Sequence, residues 1–293
     1  MSGKQSKSPI IALSLVALLM LALAAGCTTS ETRTPVATQE KQTIKISGST
    51  TVLPIIQKAA DQYMATHASA DIQVSGGGSG AGIQAIGTKT VDIGMSSREV
   101  TADEKAKYPA FVITPVAQDG IAVIVNPANG IPYITLDQIR DIYLGNVTTW
   151  NEMSGAAASG TGNQIVVIGR DSASGTRSYF DESILNKKTP TRQMLEKNSN
   201  GAVLQTVAQT PGAIGYVSIG FVSNDVKALP IWYSADRIVA PGLAAVRDRS
   251  YPVSRDLYVI TNGEASGLTA DFIRFILSPE GQKIVAEEGY VTV

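Results

Sequence analysis

The sequence predicts an α/β fold with a mainly parallel sheet, and two features of the chain support that prediction. First, short runs rich in β-branched residues alternate with helical patterns from residue 43 onward, as in proteins whose helices cover a mainly parallel sheet. Second, Gly- and Ser-rich turns separate several of these runs from the helical pattern that follows. The length of 293 residues suggests about two domains once any processed segment is removed.

Each predicted strand is a short apolar or alternating run, and most are followed by helical periodicity. The predicted strands are Thr43–Ser47, Asp71–Ser75, Val91–Gly94, Gly120–Asn126, Gln164–Gly169, Ala213–Ser218 and Arg255–Thr261. The predicted helices are Thr51–His67, Ala81–Gly87, Leu136–Leu144, Gly175–Asn186, Gly201–Gln209, Thr269–Leu277 and Pro279–Glu288. Thr135 and Gln138 have the spacing of a capping box, which predicts a helix start at Leu136.

The composition excludes several kinds of site. One Cys (Cys27) and one His (His67) cannot form a disulfide within one copy or a Cys/His zinc site. The net charge of −1 provides no bulk field for nucleic acid or an anionic membrane. Ligand chemistry must therefore come from backbone amides, hydroxyls, Arg and carboxylates, and we expect no metal and no cofactor.

Residues 1–26 have the pattern of a secretory signal. Lys4 and Lys7 precede the run Ile10–Ala25, in which only Ser14 is polar, and 16 residues are fewer than the roughly 20 that a spanning helix needs. The run closes with Ala-Ala-Gly before Cys27, which resembles a lipobox and predicts lipidation of that cysteine. The alternative is an uncleaved N-terminal anchor, and both place the rest of the protein outside the cytoplasmic membrane.

Residues 27–42 are predicted to be a flexible tether, since residues 28–42 hold five Thr, one Pro and no aromatic residue. Removal of residues 1–26 takes away two positive charges and no negative one, which leaves a net charge of −3. A mildly acidic protein that binds an anion must attract it with local dipoles.

Three segments, Ile44–Thr51, Val74–Gly80 and Ile168–Thr176, each combine a strand, a Gly/Ser/Thr-rich turn and the start of a helix. Helix N-termini carry a partial positive charge and unpaired N–H donors, so they favour anions. Gly allows close backbone approach, while Ser and Thr hydroxyls cap the helix or donate outward. In open α/β sheets such turns lie at the carboxyl ends of strands, where ligands bind.

One such turn alone is ordinary helix capping, but three of them, one containing Arg170, predict a tetrahedral oxyanion site. Arg170 is the only guanidinium inside these turns, and Arg offers a bidentate fork to an oxyanion. Arg98 and Arg177 are second candidates. For Arg177, a salt bridge on the helix surface is an equally good interpretation.

Nucleotide binding fails on spacing, and a serine hydrolase is poorly supported by the sequence. The Gly76–Gly82 segment lacks the following Lys-Ser/Thr of a P-loop. A hydrolase using Ser79 or Ser174 would need a base, and His67 lies at the end of a helical run where a structural role fits better.

Eight motifs in order resemble the phosphate-binding lipoprotein of the Pst-type ABC transporter, over essentially all of residues 43–293. The motifs are Gly48–Pro54, Gly76–Gly80, Val91–Ser97, Asp119–Pro127, Ser174–Arg177, Asn200–Ala202, Pro211–Tyr216 and Phe275–Gln282. Because several motifs occur in the same order, the resemblance identifies the family specifically. It is less specific about which ligand is bound.

The resemblance implies an α/β, two-lobed periplasmic-binding-protein-like (type II) fold with a ligand cleft between the lobes. Residues 43–118 and 251–293 would form lobe 1, and residues 119–250 lobe 2. It also implies a monomer, not an enzyme, that is anchored at the outer face of the cytoplasmic membrane and delivers inorganic phosphate to an ABC permease and its ATPase. The ligand-binding residues that it implies are Thr50, Thr51 through its backbone, Ser79, Arg170, Ser174, Gly175 and Thr176, and we predict Ser49, Ser97 and Ser172 as further members of the site.

The sequence departs from the best-known members of that family at two positions. They have an Asp where Ser97 stands, which accepts the proton of hydrogen phosphate, and another where Ser172 stands. Asp171, Glu99 or Asp119 could replace the acceptor, and we expect a preference for phosphate to persist. The alternatives are a receptor for sulfate, molybdate or tungstate, a surface serine hydrolase, and a non-transport sensor or adhesin.

Overall fold

The computed structural model describes residues 40–153, 164–234 and 237–293; the predicted signal and Cys27 lie outside these ranges. The strands are β1 (Gln42–Gly48), β2 (Ala70–Ser75), β3 (Ile93–Ser96), β4 (Phe111–Val125), β5 (Ile134–Thr135), β6 (Val166–Arg170), β7 (Leu195–Lys197), β8 (Ala213–Ser218), β9 (Lys227–Ala228), β10 (Ile231–Ser234), β11 (Arg237–Val239) and β12 (Ser254–Asn262). The helices are α1 (Leu53–Thr66), α2 (Ser79–Gly87), α3 (Ala102–Lys107), α4 (Leu136–Leu144), α5 (Gly175–Ser183), α6 (Asn200–Gln209), α7 (Leu243–Arg247), α8 (Gly267–Leu277) and α9 (Pro279–Glu287). Within these ranges, no helix is long and apolar enough to cross a bilayer.

The main sheet has the strand order β2-β1-β3-β12-β4-β8-β6-β7. Its two ends are parallel, since β1 pairs in parallel with β2 and β3, and β6 with β7 and β8. At the centre, β12 runs antiparallel to β3 and β4, and β4 antiparallel to β8. The predicted mainly parallel sheet is therefore wrong at the centre, because the alternation of strands and helices does not specify strand direction.

Strand β4 begins nine residues earlier than the predicted strand at Gly120. Pro115 interrupts the sequence pattern there, because proline cannot donate to a sheet ladder. In the structure Pro115 lies opposite Tyr258, next to a register shift between Leu257 and Tyr258 on β12. Such an irregularity is one of the places where a strand tolerates proline, so one long strand forms.

Buried side chains form separate cores on the two sides of the centre of β4. Val116 and Ala117 pack into a core with α1, α8 and α9, whereas Ile121 and Val123 pack with Trp150, Tyr143 and Phe180. The same change of core occurs along the neighbouring segment, from Val253 to Leu257. Strands β4 and β12 thus pass from one core to the other, with Asp119 and Arg255 paired at the crossing.

The predicted capping box at the start of α4 is confirmed. The Thr135 hydroxyl accepts from the Gln138 N–H at 3.1 Å, and the Gln138 side chain accepts from the Thr135 N–H at 2.9 Å. Two N–H groups that the helix start would leave unpaired are therefore satisfied.

We predict that Thr135→Ala lowers the free energy of unfolding by about 1 kcal/mol, because it removes one side of this capping box. Ser266→Ala is the matched control, since Ser266 caps α8 without a side-chain hydrogen bond. Urea unfolding of both variants measures the effect. Equal destabilisation by the two substitutions would contradict the assigned role of Thr135.

Candidate anion-binding site

Three turns converge where the two cores meet: the turn after β1, the turn after β2 and the turn after β6. The Gly78 N–H donates to the Gly48 carbonyl at 2.9 Å, and the Gly80 N–H donates to the Ala173 carbonyl at 3.0 Å. A Cβ on Gly78, whose φ is +91°, would lie 2.6 Å from that Ala173 oxygen. The close approach of the second turn to the third therefore requires glycine at position 78.

The N-terminus of α5 contacts two buried serines. A Cβ on Gly175 would lie 2.1 Å from the Ser79 Oγ and 2.9 Å from the Ser97 Oγ. Ser79 accepts from the Ser97 N–H at 3.0 Å, and Ser174 caps the helix by accepting from the Arg177 N–H. The first N–H groups of a helix have no intrahelical partner, so this helix start presents donors beside hydroxyls.

Arg170 is 1% exposed and reaches this region from the end of β6. Its Nη2 donates to the Thr50 Oγ1 at 3.1 Å and the Asn198 carbonyl at 3.2 Å, and its Nε to the Lys197 carbonyl at 3.1 Å. Its buried Nη1 has no hydrogen-bond partner among the residues that the structure describes. Burial lowers the pKa of Arg170, yet arginine remains protonated, so this nitrogen is a charged donor available to an anion.

A second buried guanidinium, Arg255 of β12, contacts residues from both sides of the site. Its Nη2 donates to the Thr176 Oγ1 at 3.0 Å and to the Thr51 Oγ1 at 3.4 Å. Its Nη1 donates to the Ser97 carbonyl at 2.9 Å. The two threonine hydroxyls lie 3.1 Å apart, and Asn200 donates to the Thr51 Oγ1 at 3.0 Å.

Asp119 holds Arg255 in place. Its Oδ2 accepts from Arg255 Nε at 3.1 Å and Nη2 at 2.8 Å, and its Oδ1 accepts from the Ser218 hydroxyl at 2.7 Å. Both side chains of the ion pair are almost fully buried. Burial raises the pKa of the Asp119 carboxyl, while the charge of Arg255 and its hydrogen bonds act in the opposite direction.

The structure brings most of the predicted site residues together, with one clear exception. Ser49, Thr51, Ser79, Ser97, Arg170, Ser174 and Thr176 are buried; Thr50 and Gly175 join them through the contacts given above. Ser49 accepts from the Thr51 N–H and so supports the first turn. Ser172 is exposed and is not part of this cluster.

The three carboxylates considered as proton acceptors are engaged elsewhere. Asp119 is paired with Arg255. Asp171 accepts from the Ala173 N–H at 3.0 Å within its own turn, and the exposed Glu99 accepts from the Tyr258 hydroxyl.

Other candidates have structural partners. Arg98 pairs with Glu104, and His67 stacks on Tyr63 with ring centroids 3.9 Å apart. Arg177 forms ion pairs with Asp181 and Glu196 and also donates to the Arg170 carbonyl at 2.9 Å. Arg177 therefore stabilises the third turn through the Arg170 carbonyl.

Arg255 was not predicted as a site residue from the sequence. The signal was a charged pair, Arg255-Asp256, inside a run that predicts a buried strand. Asp256 forms a partly exposed ion pair with Arg249, whereas Arg255 points into the site.

Asp181 is a half-buried acid near the third turn, where it pairs with Arg177. Burial raises the pKa of its carboxyl from 3.8 to about 6, with the charge of Arg177 opposing the shift. Its Oδ1 has no hydrogen-bond partner within the described ranges. Because the folded-state pKa is raised, the folded protein binds more protons than the unfolded chain between about pH 4 and 6, so its contribution to stability falls as pH rises through that window.

We predict that Asp181→Asn raises the free energy of unfolding by about 1 kcal/mol at pH 7.5, a value reduced for solvent screening because the Asp181 side chain is 24% exposed. The gain should vanish near pH 4, where the carboxyl is neutral in the folded protein. Urea unfolding at both pH values measures it, with Asp271→Asn in an exposed ion pair as the control. An effect of equal size at both pH values would contradict the prediction.

Comparison with known families gives the class of this protein. The family model described as the PBP superfamily domain matches residues 29–280. This match and the α/β architecture confirm the periplasmic-binding-protein-like fold expected from the sequence motifs.

Comparison with individual proteins gives the family. The chain is 33% identical to phosphate-binding protein PstS of Bacillus subtilis over 97% of this chain and 93% of that protein. A phosphate ABC transporter substrate-binding protein from Clostridium perfringens, solved with bound phosphate, is 33% identical and has a TM-score of 0.79 over 86% of this chain and 100% of that one. An ABC-type phosphate transport receptor from Vibrio cholerae is 30% identical, with a TM-score of 0.70 over 85% of this chain and 100% of that one. The chain belongs to the family of phosphate-binding proteins PstS.

Proposed function

We propose that this protein binds inorganic phosphate outside the cytoplasmic membrane and delivers it to an ABC permease and its ATPase. In this proposal it is a binding protein that catalyses no reaction. The observation that carries the proposal is the buried Arg170, which lies where three Gly/Ser-rich turns meet. Its Nη1 has no hydrogen-bond partner among the described residues. The names of its relatives and the phosphate in the C. perfringens structure point to the same ligand.

Phosphate would be held by charge-assisted bonds from one guanidinium and by neutral donors around it. Thr50 and Thr51 contribute from the first turn, Ser79 and Ser97 are associated with the second, and the start of α5 contributes from the third. The proposed ligand-binding residues are Ser49, Thr50, Thr51, Ser79, Ser97, Arg170, Ser174, Gly175 and Thr176. Ser172 is exposed and lies outside this set.

Two lobes close over the anion in this proposal. Residues 43–118 and 251–293 form one lobe and residues 119–250 the other, and β4 and β12 serve as the hinge. The change of core near Asp119 and Arg255 supports this division. The permease would recognise the closed state of the two lobes.

The N-terminal region provides the anchor in this proposal. Signal cleavage before Cys27 leaves that residue as a lipidated N-terminus, and residues 27–42 link it to the folded part. Since a single acyl chain binds a membrane only marginally, stable anchoring requires more than one. The receptor acts as a monomer.

The expected affinity follows from ligand size. Phosphate has five heavy atoms, and a ceiling of about 1.5 kcal/mol per atom gives roughly 7.5 kcal/mol. This corresponds to a dissociation constant on the order of micromolar. Calorimetry with phosphate, sulfate and molybdate tests the ligand, and equal affinity for sulfate and phosphate would contradict a phosphate receptor.

We predict that Arg170→Ala weakens phosphate binding by about 10- to 100-fold, because the anion loses its charged donor. Isothermal titration calorimetry measures the change. Arg274→Ala, which removes a guanidinium from an exposed ion pair, should bind phosphate like the parent. If Arg170→Ala also bound like the parent, the assigned site would be wrong.

We predict that Gly175→Ala weakens phosphate binding by at least about 10-fold, because the new methyl would collide with the Ser79 hydroxyl and displace the start of α5. Gly201→Ala is the matched control: Gly201 occupies the start of α6, and a Cβ there meets nothing within 4 Å. Titration of both variants measures the effect. Similar losses in the two would show that the contact with Ser79 is not the cause.

A further inference from the structure

Three charged side chains are buried in the part of the chain that the structure describes, and all three lie at the proposed site. Arg170 is 1% exposed, Asp119 2% and Arg255 3%. A buried charge is costly unless it is paired. Asp119 pairs with Arg255, whereas Arg170 donates to one hydroxyl and two carbonyls, which are neutral. The three together carry one net positive charge.

Arg255 and Asn200 together restrict how two hydroxyls at the site use their protons. The Thr176 Oγ1 accepts from Arg255, and the Thr51 Oγ1 accepts from Asn200. The two oxygens are 3.1 Å apart, and only one of the two hydroxyl protons can lie between them. The other proton is therefore left to donate to a third group, which in a phosphate site is the anion.

Arg255 is also near enough for its charge to act on a ligand. The Thr176 Oγ1 lies 3.0 Å from its Nη2, so an anion bonded to that hydroxyl would lie within about 6 Å of the guanidinium. At an effective dielectric constant of about 20, one unit charge at this distance changes affinity by about 100-fold. Asp119 offsets part of this attraction, because its carboxylate accepts from the same Nη2 at 2.8 Å.

We propose that Arg255 is a second cation of the anion site and that Asp119 sets how much of its charge the ligand experiences. The proposal rests on the proposed function, since it concerns the same site. Arg255 is a positioning residue for Thr51 and Thr176 and a source of attraction for a doubly charged anion. Asp119 lowers that attraction and keeps Arg255 in place while the site is empty.

Asp119→Asn and Arg255→Gln test the proposal because they should change affinity in opposite directions. Asn keeps the shape of Asp119, and the Ser218 hydroxyl can accept from its amide and still donate to Tyr290, its second partner at 3.3 Å. Arg255→Lys, which keeps the charge, and the double variant complete the set. Asp256→Asn and Arg249→Gln are the controls, since they remove a partly exposed ion pair beside the same strand.

Calorimetry with phosphate and with sulfate, together with thermal unfolding, provides the measurements. Asp119→Asn should tighten phosphate binding by about 10-fold and lower the melting temperature of the empty protein. Phosphate should then raise the melting temperature of this variant by more than it raises that of the parent. Arg255→Gln should weaken binding by about 10- to 100-fold, Arg255→Lys by less, and the double variant by an intermediate amount. The controls should stay within about two-fold of the parent.

A purely structural ion pair would give a different pattern, in which Asp119→Asn and Arg255→Gln both weaken binding and lower the melting temperature. That result, or an Arg255→Gln variant that binds like the parent, would overturn the proposal. If the parent binds sulfate but not phosphate and the opposite shifts occur with sulfate, the proposed function fails while the role of Arg255 stands. If the parent binds phosphate and the opposite shifts do not occur, only the role of Arg255 fails.

Discussion

The ion pair between Asp119 and Arg255 is the interaction on which the rest of the site depends. It lies where β4 and β12 pass from one core to the other, and both side chains are almost fully buried. From this point the guanidinium reaches the Ser97 carbonyl and the hydroxyls of Thr51 and Thr176. Removing one member would leave the other charge buried and uncompensated, so the pair couples the packing of the strands to the arrangement of the site.

An acidic protein that attracts an anion must do so over short distances. The fold meets this requirement by directing backbone donors and hydroxyls from three turns to one place, with a charged donor from Arg170 among them. Glycines at positions 78 and 175 permit the close contacts that this arrangement needs. Screening by salt is weak for such buried groups, so local geometry has more influence than the net charge of the chain.

Sequence patterns predicted the parts of the molecule that are governed by local interactions. The capping box at Thr135 and the strand Ala213–Ser218 are as expected, because turn chemistry and side-chain periodicity are properties of neighbouring residues. The antiparallel centre of the sheet was not predictable in this way, since strand direction depends on distant pairing. The first half of β4 was not predicted, because the proline at position 115 argued against a strand there. Arg255 was missed because its partners lie 79 to 204 residues away in the chain.

The position of Arg255 late in the chain affects the order in which the molecule can be completed during synthesis. The three turns and Asp119 are all made before β12, so a nascent chain without β12 has the proposed anion donors but no counter-charge for Asp119. Desolvating that carboxylate alone is unfavourable, so burial of Asp119 as a charged group requires Arg255. Asp119 can therefore be buried as a paired charge only after β12 has joined the sheet beside β4.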